Sequence, residues 1–139
     1  GSNTNTDVLF GIVGRGAAGH NIINGEGGND SLIGGGYRDA LNGGSGSDFL
    51  DGGAGNDTLN AGGGDADVAN GGAGDDLIYG AFGPDTVVGG SGIDTLDTSA
   101  FSINYLVNLA TGTTNYAGES FTGLENLITG AGNDTLIGT

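Results

Sequence analysis

Between residues 16 and 97 the chain repeats every nine residues, and a chain this periodic must fold into an equally periodic object. Nine rows align: "GAAGHNIIN" (16–24), "GEGGNDSLI" (25–33), "GGGYRDALN" (34–42), "GGSGSDFLD" (43–51), "GGAGNDTLN" (52–60), "GGGDADVAN" (62–70), "GGAGDDLIY" (71–79), "GAFGPDTVV" (80–88) and "GGSGIDTLD" (89–97). Ala61 is one extra residue between the fifth and sixth. Position one is glycine in all nine rows, and position six is aspartate in eight, with Asn21 the exception. Position eight is Ile, Leu or Val in eight, with Ala69 the exception. Three columns held in phase over this distance specify an architecture rather than low-complexity drift.

Each column has a physical reading. Glycines at positions one, two and four permit positive φ and close backbone approach, so positions one to six read as a tight turn. Positions seven to nine suffice for a three-residue strand whose middle residue points one way and whose neighbours point the other. Two rows then make one lap of a flattened parallel coil. Its inward column is Ile23, Leu32, Leu41, Leu50, Leu59, Ala69, Ile78, Val87 and Leu96. One aliphatic residue per row is a thin core, and the 34 glycines raise the entropy lost on folding. Something besides apolar burial has to hold the coil closed.

The charge says what. Seventeen acids stand against two bases, Arg15 and Arg38, for a net charge of −15. This balance argues against nucleic-acid binding, which needs a basic footprint, and against an anionic membrane surface. It points to cations or to a solvated, disordered chain. No apolar run approaches the length of a membrane span, and no insertion is expected. The absence of cysteine excludes disulfides and thiolate metal sites.

In the coil, rows alternate between two edges. Asn21, Asp39, Asp57, Asp76 and Asp94 line one edge, and Asp30, Asp48, Asp67 and Asp85 line the other. Carboxylates one lap apart, about 4.8 Å, repel by roughly 0.9 kcal/mol in water and about 3.5 kcal/mol at an effective dielectric of 20. Repeated along two ladders, that repulsion opposes folding unless a cation sits between the turns. Carboxylates and glycine-turn carbonyls make an irregular all-oxygen shell, which suits Ca²⁺ better than Mg²⁺. Zinc would want His or Cys, and His20 is the only such residue.

These rows resemble the RTX nonapeptide, G-G-x-G-x-D-x-U-x, of hemolysin-type calcium-binding proteins, a signature of calcium-binding β-helices. The resemblance covers 16–97 and resumes in part at 129–137, "TGAGNDTLI". It implies an all-β fold, a right-handed parallel β-roll, with calcium held between neighbouring laps. The implied ligands are Asp30, Asp39, Asp48, Asp57, Asp67, Asp76, Asp85 and Asp94. Carbonyls near Gly44, Gly46, Gly53, Gly55, Gly72, Gly74, Gly90 and Gly92 join them. Asn21, Asp7 and Asp134 are weaker candidates. Pairing each row with the next but one gives roughly seven ions. Departures from the pattern are Tyr37 and Asp65 at position four, Glu26 and Ala81 at position two, and neutral Asn21. They make turns 16–21, 34–39 and 62–67 the poorest candidates for metal. Asp65 reads either as an extra carboxylate or as a solvated turn acid, and Ala61 marks an expected bulge.

Three segments are expected: a degenerate strand or cap at 1–15, the roll at 16–97, and capping strands at 98–139. In the last, Ile103, Tyr105, Val107 and Leu109 alternate as in a longer strand, and 119–130 reads as another strand pair. Phe101, Tyr105, Tyr116 and Phe121 are expected to pack this cap. The resemblance also implies a secreted bacterial protein, exported unfolded through a type I channel and folded by extracellular calcium. The chain reads as a monomeric fragment without catalysis of its own, since familiar triads and zinc motifs are missing. Any activity would belong to a catalytic domain elsewhere in the parent. The alternatives are an accessory module binding an extracellular polysaccharide beside a carbohydrate-modifying enzyme, and a segment of an adhesin.

Overall fold

The structure, a computed structural model, describes residues 8–10, 19–63, 65–80 and 83–138. Asp7 and Ala81 lie outside the described residues. Strands and turns make up the described residues, with no helix among them. One parallel sheet contains β1 (Val8–Phe10), β3 (Ser31–Gly36), β5 (Phe49–Ala54), β7 (Val68–Ala73), β9 (Thr86–Ser91) and β13 (Ser120–Thr122). The other contains β2 (Ile22–Asn24), β4 (Ala40–Gly44), β6 (Thr58–Gly62), β8 (Leu77–Tyr79), β10 (Thr95–Thr98) and β14 (Asn126–Thr129). A small third sheet joins β11 (Leu106–Asn108), β12 (Thr113–Thr114) and β15 (Thr135–Ile137). Successive rows alternate between the first two sheets, so the chain is a parallel β-solenoid.

The core is the position-eight column. Leu32, Leu50, Ala69, Val87 and Phe121 stack in one sheet, and Ile23, Leu41, Leu59, Ile78, Leu96 and Leu127 stack in the other. The nine core residues named from the repeat are all buried. Alternation along each strand leaves positions seven and nine on the outer faces, as in β5, where Phe49 is exposed and Leu50 buried.

Three expectations need correction. β2 and β8 keep the expected three residues, but β3, β5, β7 and β9 are longer because they run on through the next row's first two glycines, pairing Gly35, Gly53, Gly72 and Gly90 across laps. Without side chains, these glycines let the laps close on one another, and the turn shrinks to the few residues between them and the position-six aspartate. Ala61 is no bulge: it sits buried inside β6, whose register runs unbroken from Leu41↔Leu59 to Gly44↔Gly62. The offset to the preceding lap changes from 18 residues at Gly44↔Gly62 to 19 at Phe49↔Val68, so the extra residue is taken up between the two strands. A turn can absorb a residue more easily than a hydrogen-bonded ladder can.

The cap departs most. Tyr105 and Val107 are buried, with Ile103 and Leu109 packed against the core, but only Leu106–Asn108 is strand. Before it the chain turns, and the N–H of Tyr105 bonds Asp134 Oδ1 at 3.0 Å instead of a sheet neighbour. β13 and β14 do not pair with each other; they cover the ends of β9 and β10 in the two separate sheets. Phe101, Tyr105 and Phe121 are buried, and Phe101 meets Tyr105 edge-to-face at 5.4 Å. Tyr116 is partly exposed and leans on Tyr105 at 5.7 Å.

Candidate metal centre

The turns that link the sheets are built by glycine. Gly53 and Gly55 adopt φ of 97° and 131°, in the left-handed region that L side chains avoid. Glu26 and Tyr37 occupy equivalent slots at 72° and 76°, so these two departures keep the turn shape and carry the strain themselves. The carbonyls of Gly44, Gly53, Gly55, Gly72 and Gly74 each abut the corresponding glycine of the next lap. That of Gly90 faces Gly123 in the cap, 3.3 Å from where a Cβ would stand. Gly46 and Gly92 adopt the left-handed turn conformation, and the carbonyls of Gly28 and Gly74 abut them from the preceding lap.

The position-six residues form two continuous ladders, one per edge. On the first, the N–H of Asp30 donates to Asp48 Oδ1 (2.9 Å), that of Asp48 to Asp67 (2.8 Å), and that of Asp67 to Asp85 (3.0 Å). On the second, Asn21 donates to Asp39 (2.7 Å), Asp39 to Asp57 (2.7 Å), Asp57 to Asp76 (2.7 Å) and Asp76 to Asp94 (2.9 Å). All eight aspartates are buried, none more than 4% exposed. One oxygen of each carboxylate after the first of its ladder is therefore committed to the backbone. Asn21 also turns its amide nitrogen to Asp39 Oδ1 (2.9 Å) and to the Gly34 carbonyl (3.2 Å), closing the ladder with hydrogen bonds. Asp134 accepts the Tyr105 N–H in the same manner inside the cap.

The other oxygen is the informative one. Oδ2 of Asp39, Asp48, Asp57, Asp67, Asp76 and Asp94 is buried with no hydrogen-bond partner. A buried carboxylate oxygen without a partner is costly, and a regular series of them implies a ligand. Asp57 Oδ2 and the Gly71 carbonyl oxygen converge beside Gly52, at 2.5 and 2.6 Å from where a Cβ would stand. Asp39 Oδ2 and the Gly52 carbonyl oxygen do the same beside Gly34, at 2.7 and 2.5 Å. Hard oxygens from consecutive laps thus gather in pairs. Among the described residues no three His, Cys, Asp or Glu side chains cluster, so each site would draw the rest of its shell from the main chain. An all-oxygen set of carboxylates and carbonyls fits calcium.

Burial pushes the carboxyls of Asp57 and Asp67 up to about 6, against the lowering effect of a backbone hydrogen bond and with neighbouring carboxylates adding to the rise. Burial also raises Asp48, Asp76, Asp85 and Asp94. Without metal, the folded state holds these protons more tightly than an unfolded chain does. Stability from Asp57 and Asp67 is fully present below the ordinary value of 3.8 and lost as pH rises through about 6. Circular dichroism in calcium-free buffer should therefore show most β-structure near pH 4 and progressively less towards neutrality. Saturating calcium should reverse the trend, since protons then compete with the ion.

The repeat did not point to three sets of residues. At position five, Asn29 Oδ1 accepts the Ser47 N–H (3.0 Å), Asn56 that of Asp75 (3.1 Å), and Asp75 that of Ile93 (2.9 Å), a second ladder outside the first. The recurrence of Asn or Asp immediately before the motif aspartate is its signal. Glu119 and Glu125 also stand in ladder positions; Glu125 lies nine residues before Asp134, in phase with the row at 129–137, but carries glutamate where the motif has aspartate.

The chain matches the RTX calcium-binding nonapeptide repeat in four copies, at residues 14–36, 33–65, 62–96 and 121–139. No curated protein and no solved structure gives a match. With glycine turns, paired aspartate ladders and a family match over most of its length, the chain belongs to the RTX calcium-binding nonapeptide repeat family.

Proposed function

We propose that the chain is a calcium-responsive folding module of a secreted bacterial protein, disordered without the ion and folded by it after export. The observation that carries this reading is the series of buried aspartate oxygens without partners, recurring along both edges. Asp39, Asp48, Asp57, Asp67, Asp76 and Asp94 would hold the ions through Oδ2, with next-lap carbonyls such as those of the position-one Gly52 and Gly71 beside them. Bound calcium supplies positive charge and accepts an irregular oxygen shell. The chain's own contribution is to set carboxylates at lap spacing, exclude water from them and present carbonyls across the gap. Because the site exists only when two laps are stacked, metal affinity becomes folding free energy. The ladder aspartates serve as ligands and not as catalysts, so any catalysis belongs to another part of the parent protein.

Circular dichroism with chelator, Ca²⁺ and Mg²⁺ at neutral pH tests this. Calcium alone should convert a disordered spectrum to a β spectrum. An equally folded chain under all three conditions overturns the reading.

A further inference from the structure

The cap conceals one more lap. Pairing Ser120↔Thr86 and Phe121↔Val87 places Glu119 in the slot that follows Asp85 on one edge. Pairing Thr95↔Asn126 and Leu96↔Leu127 places Glu125 in the slot that follows Asp94 on the other. Between these registers the cap needs only residues 123–125, where the preceding lap uses residues 89–94. Each aspartate ladder is thus followed by a glutamate, Glu119 just ahead of the repeat copy matched at 121–139 and Glu125 within it, nine residues before Asp134.

The two glutamates behave differently. Glu125 Oε2 accepts the N–H of Asp94 at 2.8 Å, the same contact that Asp94 Oδ1 makes with the N–H of Asp76 at 2.9 Å. Asp94 is fully buried, and its Oδ2 has no partner. That oxygen lies 2.7 Å from where a Cβ on Gly89 would stand, and the Gly123 carbonyl oxygen abuts the same point. This repeats the convergence of Asp57 Oδ2 and the Gly71 carbonyl on Gly52. The step from Asp94 to Glu125 therefore has the parts of an interior step: a buried unpartnered carboxylate oxygen, a carbonyl from the following lap, and a second carboxylate.

Glu119 has been withdrawn from its ladder. Its Oε2 accepts the Tyr105 hydroxyl at 2.7 Å and the Thr114 hydroxyl at 2.6 Å, and the side chain is buried. Among the described residues it takes no N–H from Asp85. Two hydroxyl donors on one carboxylate oxygen satisfy it without a metal.

We propose that Glu125 completes one further cation site with Asp94, whereas Glu119 closes the opposite edge by hydrogen bonding alone. The array is then asymmetric: the Asp94 edge carries an ion into the cap, and the Asp85 edge does not. This inference rests on the calcium reading of the ladders and adds to it a glutamate at a position where the nonapeptide has aspartate.

Calcium stoichiometry at saturation, measured by equilibrium dialysis and metal analysis on the whole chain, tests it. Glu125→Gln keeps a carbonyl acceptor for the Asp94 N–H, and circular dichroism in saturating calcium should show an unchanged fold. It should bind one ion fewer than the unaltered chain, or bind its last ion at least about tenfold more weakly. Glu119→Gln should bind the full number. An unchanged number and affinity in Glu125→Gln overturns the proposal, as does loss of an ion in Glu119→Gln. An unaltered chain that takes up no calcium overturns the ladder reading, and this site with it.

Discussion

Asp57→Ala should raise the calcium concentration needed for folding by about 100-fold or more, whereas Asp51→Ala, six residues earlier, should leave it nearly unchanged. Asp57 is buried, and its Oδ1 is the acceptor for the Asp39 N–H at 2.7 Å. Truncation strands that donor in the interior, at a cost of about 1–3 kcal/mol. It also removes a carboxylate oxygen that no other group can replace in the gap beside Gly52. A combined loss of about 3 kcal/mol corresponds to roughly the stated shift. Asp51 lies on the outer face, half-exposed, and accepts one hydrogen bond from Asn70 at 3.1 Å, so its loss should stay within about 0.5 kcal/mol. Calcium titrations followed by circular dichroism compare the two directly. Equal shifts would count against the ladders as metal sites.

A second large effect is expected from one methyl group. Gly52→Ala would put its Cβ 2.5 Å from Asp57 Oδ2 and 2.6 Å from the carbonyl oxygen of Gly71. Neither neighbour can yield, since one belongs to the ladder and the other to the adjoining lap's backbone. Overpacking of this kind costs about 1–3 kcal/mol, and here the upper end applies because the clash is with backbone. The control is Gly36→Ala, where a Cβ meets nothing within 4 Å. The equivalent slots in the next two laps already hold Ala54 and Ala73. That change should be neutral or stabilise by about 0.4–1 kcal/mol through the unfolded chain. Thermal melts in saturating calcium separate the two; a mild Gly52→Ala would mean that the laps are not packed as described.

The fold was legible because its governing rule is local and repeated. Leu50 and Leu59 show their inward direction from position eight alone, and the alternation of Asp48 and Asp57 between edges follows from two rows per lap. What the repeat could not show is how much of the glycine stretch is strand. Glycine has poor strand propensity alone, yet Gly53 pairs on both sides because its neighbours in the stack are glycines too. The repeat marks the aspartates of each ladder, but not the division of labour within each carboxylate. That one oxygen serves the backbone and the other is left over depends on exact lap stacking. In the cap, Glu119 takes its ladder slot through a pairing between strands far apart in sequence, of which a local pattern carries no trace, whereas Glu125 keeps a nine-residue spacing to Asp134 but with glutamate in the aspartate's place.

Each bond of the position-six ladders runs the same way: an N–H in one lap meets a carboxylate from the lap that follows it in the chain. The stack therefore has a direction, with the ladder donor of every lap aimed at the lap still to come. A lap can be completed only by residues that lie about one lap later in the chain. Its leading end is always short of acceptors until the next carboxylate arrives. Glu125 ends that shortfall at Asp94 by supplying the missing acceptor from the repeat copy at 121–139, with glutamate in place of the motif's aspartate. The last lap of the Asp94 edge is thus completed by residues that lie beyond the nine-row array.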